Sequence, residues 1–508
     1  MKQLIVVIIM LICASSVDMC ARIWNPKGKA YPDRVVFNPD FMAETSGNLK
    51  IDRIEFFKDS TLIVFTASSN YGYINVDRNL TLDADGKILL PDKVYGMVFG
   101  ENFKLQRWNK QQFVMVYPPV DRKVKKLSVV QLGGSWSIYG IRLDGGKYDR
   151  PTIEEWEETK SVYYTGDPKQ FIYPKPKTVV YEGFINGYDP DVFKRTFRLN
   201  NYNEITGVQE PIDVEIDDQG YFRIELKSYF PKFVTADFPL NMEVKSFLEP
   251  EHNLAIYFDR NMILGQRAGK INVWNAAIVN AGDLGLINNQ LYASWAVWTP
   301  DIKRPLYEAR SLKEAKKIID RLHKEQVERL KSYAADFMIF PYSEDVIMAN
   351  EKAGMITTLL EQEKRYNDRE PIPYNFYDFI KGDLNDKLIV TSGYFPTLAQ
   401  LLSESRYREV LGINNVYAYN DLAADGRRVA IFKTLETEAE ALCRYLEVRY
   451  PPLWWQVMIS MRLASFGLMD ADSVSREDAA WVINQLSDCK AITEKAVIDA
   501  LKSHYQVK

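Results

Sequence analysis

Two patterns of apolar and polar residues divide this chain, one repeating every two positions and the other every 3.6. The clearest two-residue alternation lies between Ile212 and Leu226, where the runs IDVEID and YFRIEL flank Asp218, Gln219 and Gly220. Alternate side chains of a strand point to opposite faces, so each run has an apolar face for a core and a polar face for water. Glycine tolerates the positive φ of a tight turn. This stretch therefore predicts a β-hairpin.

Short apolar segments separated by turn residues recur along residues 22–146. They are VVF at 35–37, LIVF at 62–65, YGYINV at 71–76, FVMVY at 113–117, LSVVQL at 127–132 and SIYGIRL at 137–143. This spacing is typical of a β-sandwich. A second, small β-sandwich is predicted over residues 178–262. Residues 147–177 are predicted to be a linker, because they combine the acidic run EEWEE with prolines that alternate with lysine.

The helical period begins near residue 275, and residues 263–508 are predicted to form a helical domain. Ser311 and Glu314 form a capping box, and Ser343 is expected to cap the next helix. The first helix places one apolar stripe inward, formed by Ala315, Ile319, Leu322, Val327, Leu330, Ala334 and Phe337. Further helices are predicted at 397–405, 434–449, 452–468, 476–486 and 493–505. The predicted fold class is two antiparallel β-sandwich domains followed by an all-α helical domain.

The first 21 residues have the features of a secretory signal peptide. A lysine precedes ten apolar residues at 4–13, and small residues follow, with cleavage expected after Ser16 or Ala21. Ten residues give about 15 Å of helix, which is too short to cross a bilayer. A lipid anchor at Cys20 is not expected, because Asp18 disrupts the lipobox. The protein is therefore expected to be periplasmic or otherwise exported, without a transmembrane segment.

Several chemistries are not supported by the sequence. The three histidines, His252, His323 and His504, have no paired spacing, so we expect no metal site. The chain has no glycine-rich phosphate loop and no G-x-S-x-G serine motif, and we expect no cofactor. A net charge of −4 without a basic stripe argues against nucleic acid as a partner. The glutamates at 154, 155, 157 and 158 are interpreted as a solvated charge run rather than a glycosidase pair.

Two groups of residues are the candidates for a special role. Cys443 and Cys489 are either buried free thiols or, in an oxidising compartment, a disulfide. The first sandwich is rich in aromatic residues that form either its core or a sugar-binding surface. These residues are Tyr71, Tyr73, Trp108, Trp136 and Tyr139.

The order of these parts resembles the region upstream of the thioredoxin module in large exported TlpA-like disulfide reductases of Gram-negative bacteria. The segments DSTL at 59–62, FVMVYPP at 113–119 and SIYGIRL at 137–143 resemble landmarks of their first sandwich. Residues 212–226 and 247–259 are similar to the small β domain that precedes thioredoxin folds, although Glu251 replaces its usual glycine. Residues 377–386 and 474–483 are similar to the helical part.

The departure from this family concerns catalysis. TlpA-like reductases act through a C-x-x-C pair, in which a thiolate of lowered pKa attacks the substrate disulfide. This chain contains no C-x-x-C, so no catalytic residue is carried over. The resemblance implies a non-catalytic envelope protein that binds a partner protein or a glycan. A carbohydrate-binding protein and an enzyme of unrecognised type remain the alternatives.

Overall fold

The computed structural model describes residues 31–505 apart from short segments. Those segments are 70–71, 106–109, 132–135, 161–163, 165, 167–170, 240–241, 268–276, 295–302, 367–371, 374, 414–422, 466–475 and 487–489. Several β-sheets occupy residues 34–281, and a largely helical region follows over residues 285–505. The predicted fold class is therefore confirmed. Among the described residues, no helix is both long enough and apolar enough to span a bilayer.

The first sandwich consists of two five-stranded antiparallel sheets and a small strand pair. Its strands are β1 (Arg34–Phe37), β2 (Ala43–Glu44), β3 (Leu49–Phe56), β4 (Thr61–Ser68), β5 (Tyr73–Ile74), β6 (Leu80–Ala84), β7 (Lys87–Leu89), β8 (Lys93–Tyr95), β9 (Phe103–Lys104), β10 (Lys110–Tyr117), β11 (Lys126–Gln131) and β12 (Ile138–Arg142). Sheet I has the order β1-β3-β4-β10-β8, sheet II has the order β2-β12-β11-β6-β7, and β5 pairs with β9. Alternate apolar residues of both sheets, such as Phe65, Phe113 and Val129, meet in one core.

The second sandwich consists of two four-stranded sheets. Its strands are β13 (Lys177–Asn186), β14 (Thr196–Asn200), β15 (Ile212–Glu215), β16 (Tyr221–Ser228), β17 (Lys232–Phe238), β18 (Met242–Leu248), β19 (Asn253–Asp259) and β20 (Ile278–Ala281). Sheet III has the order β16-β13-β19-β20, and sheet IV has the order β15-β14-β17-β18. The pairing is antiparallel except between β13 and β19, which run parallel. The last strand, β20, lies beyond residue 262, where the sequence pattern placed the end of this sandwich.

The predicted hairpin is correct in its two strands and its turn but wrong in its pairing. Gly220 adopts a φ of +99°, as the turn requires. However, β15 pairs with β14 in sheet IV, whereas β16 pairs with β13 in sheet III. The two runs bury Val214 and Phe222 in the same core from opposite sides. Alternation reports that a strand has one buried face, and it carries no information on which neighbour supplies the hydrogen bonds.

The segment predicted as a linker contains helix α1 (Ile153–Lys160), which packs on sheet III. Trp156 is buried there against Phe184 and Tyr257. Lys160 Nζ lies 3.0 Å from Glu182 Oε1 on β13. The four glutamates of α1 are all exposed, in agreement with a solvated charge run.

The helical region begins after β20 and packs against sheet IV. A short helix, α2 (Arg260–Arg267), precedes β20. The helices after β20 are α3 (Gly285–Ser294), α4 (Lys303–Glu308), α5 (Leu312–Asp336), α6 (Pro341–Tyr366), α7 (Phe395–Glu404), α8 (Tyr407–Val410), α9 (Ala424–Leu446), α10 (Leu453–Ser465), α11 (Arg476–Gln485) and α12 (Lys495–Tyr505). Short 3₁₀ turns lie at Asp378–Ile380, Asp383–Asn385 and Lys387–Thr391. Ser311 caps α5 by accepting a hydrogen bond from the Glu314 N–H at 3.1 Å. The predicted Ser343 cap is wrong, because α6 already begins at Pro341, a residue suited to the first helical turn.

The two sandwiches meet around α2. Arg260 is buried there and donates to the main-chain oxygen of Glu44, and its guanidinium lies 4.6 Å from the Phe193 ring. Asn261 exchanges hydrogen bonds with the main chain of Met42 and Glu44. The first sandwich is therefore joined to the second by buried polar contacts.

Candidate functional site

A large cleft lies between sheet IV and the helices. It has a volume of about 820 Å³ and is lined by strands β14, β17 and β18, by helices α3, α5 and α6, and by the start of α7. Small-molecule sites typically have volumes of about 300–1,000 Å³ and lie at such boundaries. We call it the sheet–helix cleft.

One wall of the cleft is the face of sheet IV that points away from the sandwich core. Thr235 on β17 pairs in register with Asn200 on β14 and with Lys245 on β18. These three residues therefore form a polar row across the sheet. The adjacent residues along β17, Val234 and Ala236, are buried in the sandwich core. Strand alternation thus places the row on the cleft side.

The opposite wall is built from one stripe on each of two long helices. The stripe on α5 has helical spacing and consists of Ile319, Leu322, His323, Gln326 and Leu330. The stripe on α6 consists of Ile347, Asn350, Glu351, Gly354, Met355 and Thr358. Both stripes mix aliphatic residues with polar residues whose side chains can donate or accept hydrogen bonds. This composition differs from the purely apolar stripe expected of a helix that only fills a core.

Three buried polar atoms of residues that line the cleft make no hydrogen bond within the protein. They are Tyr202 Oη, His323 Nδ1 and Gln326 Oε1. Tyr202 is only 7% exposed and Gln326 only 4% exposed. A buried polar group without a partner costs about 1–3 kcal/mol of stability. Other unpartnered buried polar atoms lie elsewhere among the described residues, and these three belong to side chains that line the cleft. A ligand in the cleft is one way to satisfy them.

A histidine and a glutamate face each other across the two helices. His323 Nδ1 lies 3.8 Å from Glu351 Oε1, which is beyond hydrogen-bond reach.

Tyr394 lies at the start of α7 and also lines the cleft. Partial burial and, to a lesser degree, the negative charge of Glu351 raise the pKa of Tyr394. The Tyr394 ring lies directly on α6, where a Cβ at Gly354 would come within 3.2 Å of its Cε2 atom. The absence of a side chain at Gly354 therefore lets the ring lie in the cleft.

The loop before α7 closes one end of the cleft. Ser392 Oγ donates to Asn350 Oδ1 at 2.8 Å, which ties the loop to α6. A Cβ at Gly393 would lie 3.5 Å from Phe233 Cβ on β17. The loop thus contacts both walls and sets the distance between them at this end.

A buried ion pair between Lys232 on β17 and Glu204 lies next to the sheet wall of the cleft. Lys232 Nζ lies 2.8 Å from Glu204 Oε1, and the two side chains are 1% and 2% exposed. The same ammonium donates to Asn201 Oδ1 at 2.7 Å and to the Tyr202 carbonyl at 2.9 Å. It also lies 5.4 Å from the centre of the Tyr202 ring. The pair therefore holds the loop that carries Tyr202 into the cleft.

The same loop joins the second sandwich to the helices. Ile205 is fully buried in the core of the helical region, and its carbonyl accepts a hydrogen bond from Ser460 Oγ on α10. Gly207 lies against the side chain of Met461. The cleft is therefore bounded by parts that are held together, rather than by two loosely connected bodies.

Three of the aromatic residues singled out from the sequence are described, and they lie in the first sandwich, outside this cleft. Trp136 is 9% exposed in the core. Tyr139 packs edge-on against Phe193 of the second sandwich, with ring centres 6.3 Å apart. Tyr73 is 54% exposed on β5. Tyr71 and Trp108 lie outside the described residues, so a sugar-binding surface on this sandwich stays a prediction.

The structure describes only one of the two cysteines singled out from the sequence. Cys443 is a half-buried free thiol on α9, and burial raises its pKa. Cys489 lies outside the described residues, so the disulfide also stays a prediction.

Among the residues that the structure describes, no three histidine, cysteine, aspartate or glutamate side chains are grouped to hold a metal ion. His252 lies between Glu249 and Asp283, 3.8 and 3.4 Å away, at the turn between β18 and β19.

No protein-family model, curated protein or solved structure matches this chain. The case for a function therefore rests on the residues and on the geometry of the cleft. Sequence reasoning missed this site, although it contained one signal. Two polar residues, His323 and Gln326, lie on a helix beside the apolar positions Ile319 and Leu322.

Proposed function

We propose that the protein is a non-catalytic, exported protein of the cell envelope that binds a ligand or partner in the sheet–helix cleft. The observation that carries the proposal is a cleft of about 820 Å³ whose lining includes two residues with unpartnered buried polar atoms, Tyr202 and Gln326. The signal-like residues 1–21 support export. The resemblance to the upstream region of TlpA-like reductases supports an accessory role beside such an enzyme.

A blocking substitution tests whether the cleft binds. Thr235→Trp places an indole in the middle of the polar row, at a half-buried strand position where an aromatic residue is tolerated. Thr196→Trp is the matched control, because Thr196 is an exposed residue of β14 in the same sheet and lies outside the cleft. Circular dichroism and thermal unfolding establish that both variants fold.

The assay is co-purification from an envelope extract, with the wild type and both variants immobilised. We expect at least one component, identified by mass spectrometry, to be retained by the wild type and by Thr196→Trp but not by Thr235→Trp. Recovery of a disulfide reductase in this set would support the accessory role. Identical recovery by all three proteins would contradict binding in the cleft. Fractionation of a Gram-negative host that expresses the full chain tests export, and recovery in the cytoplasm would contradict it.

A second candidate, an enzyme that acts in the same cleft, is favoured by the imidazole of His323 and the carboxylate of Glu351, 3.8 Å apart. Such a pair can transfer protons to and from a bound substrate. The retained component should then change in mass during incubation with the wild type and stay intact with His323→Gln. A component that stays intact with both proteins would exclude this candidate and leave the binding function in place.

A further inference from the structure

We propose that the sheet–helix cleft binds a neutral saccharide, an inference that rests on the proposed binding function and names its ligand class. Three features of the cleft carry it: exposed tyrosine rings, planar groups that form hydrogen bonds, and nearly balanced charge.

The first feature is a pair of tyrosine rings in the cleft. Tyr292 on α3 and Tyr394 before α7 both line it and are 40% and 45% exposed. An aromatic ring offers a rigid apolar face and a polar hydroxyl at low cost in conformational entropy. A sugar ring also has an apolar C–H face and a polar rim. Partly exposed tyrosines in a cleft fit this ligand better than they fit a core.

The second feature is the type of hydrogen-bonding side chain. Carboxamides come from both walls, with Asn200 and Gln209 on the sandwich side and Gln326 and Asn350 on the helical side. A carboxamide presents a donor and an acceptor in one plane, which matches neighbouring hydroxyl groups of a sugar. Gln326 Oε1 makes no hydrogen bond within the protein. Because this atom is buried, it can accept from a ligand hydroxyl only when the Gln326 side chain turns toward the cleft.

The third feature is the absence of excess positive charge. Among the described residues that line the cleft, the acidic and basic side chains other than His323 are Glu243, Lys245 and Glu351. Lys245 Nζ lies 3.8 Å from Glu243 Oε1, so these two charges offset each other. Phosphate and carboxylate ligands are usually held by arginine or by several lysines. The cleft therefore favours a neutral ligand over an anionic one.

An extended peptide is the competing ligand, and the edge of sheet IV argues against it. β18 is an edge strand, to which a peptide could add by main-chain hydrogen bonds. However, the Asn288 side chain already accepts from the Phe247 N–H and donates to the Phe247 carbonyl, both at 2.8 Å. The carboxamide thus occupies the position of an added strand at this point of the edge.

The test is a glycan array that carries acidic oligosaccharides and neutral ones, the neutral ones with and without N-acetyl groups. A library of random decapeptides is screened beside it. The proteins are the wild type, Thr235→Trp, the control Thr196→Trp, and Gln326→Met. Methionine is similar to glutamine in shape and lacks its hydrogen-bonding groups. We expect at least one neutral oligosaccharide to bind the wild type and Thr196→Trp. We expect Thr235→Trp to lose this binding and Gln326→Met to weaken it about tenfold.

Two sets of results would overturn the saccharide proposal. One is that no neutral oligosaccharide binds with a Kd below about 1 mM, or that only acidic ones do. The other is neutral binding that Thr235→Trp leaves unchanged. Decapeptide binding that Thr235→Trp abolishes and Thr196→Trp retains, without glycan binding, would overturn the saccharide class while supporting the binding function of the cleft.

Discussion

Removing the buried ammonium of Lys232 is the strongest test of how the cleft is supported. The substitution Lys232→Met keeps most of the volume and removes the charge. It leaves the carboxylate of Glu204, which is 2% exposed, without its cationic partner. The carbonyl of Tyr202 and the side chain of Asn201 lose their donor at the same time. A buried charge left without its partner has a high free energy, because the interior solvates it poorly.

The expected loss of stability is about 3–5 kcal/mol, the usual effect of breaking a buried ion pair. For a cooperative unit of about 150–250 residues, this loss corresponds to a decrease in Tm of roughly 6–20 °C. Adding Glu204→Gln should restore most of the loss, because the charge that was left unpaired is then also removed. The replacement of both charges by neutral groups of similar volume is often nearly neutral for stability.

The assay is thermal and urea unfolding of the wild type, both single variants and the double variant, followed by circular dichroism. Lys227→Met is the control, since Lys227 is an exposed lysine on β16, and we expect it to change stability by less than about 0.5 kcal/mol. A decrease for Lys232→Met no larger than that of the control would refute the argument. So would a double variant that is as unstable as the sum of the single variants.

Three further predictions concern other parts of the molecule. Gln326→Met should raise the free energy of unfolding by about 1 kcal/mol, because it removes an unpartnered buried oxygen; lower stability would show that this oxygen has a structural partner. Trp156→Ala should destabilise the docking of α1 by about 3 kcal/mol, measured as faster proteolysis within residues 147–177, and unchanged cleavage would contradict it. Burial alone would raise the pKa of Glu182, but hydrogen bonds from Lys160 and Arg223 outweigh it, and the net pKa is lowered. The stabilisation by Glu182 is therefore full above its usual pKa of 4.5 and is lost as the pH falls through the lowered value. The difference in unfolding free energy between the wild type and Glu182→Gln should be largest at neutral pH and disappear in acid, and a difference independent of pH would contradict this assignment.

The apolar stripe of α5 shows where periodicity predicted the structure and where it did not. Leu322 and Leu330 are buried as predicted. Phe337 is 67% exposed, because α5 ends at Asp336. Gln326 is buried in place of the neighbouring Val327, which is only half-buried. A hydrophobicity pattern assigns polar residues to water, so Gln326 beside the apolar stripe shows only that a polar residue interrupts it, and burial against a cleft is seen only in the folded structure.

The sequence by itself determined the features that depend on neighbours along the chain. These include most of the strands, the long helices, the Ser311 cap and the change from sandwiches to helices, which the pattern placed near residue 275. Periodicity and capping act over a few residues, so they can be recognised locally.

Only the tertiary structure decided which strands pair and where the cleft lies. Asn200, Thr235 and Lys245 become neighbours through strand register, and they meet Gln326 and Tyr394 only because sheet IV packs on the helices. These residues are separated by tens to nearly two hundred positions. Contacts over such separations depend on how whole elements pack, and no local pattern along the chain records them.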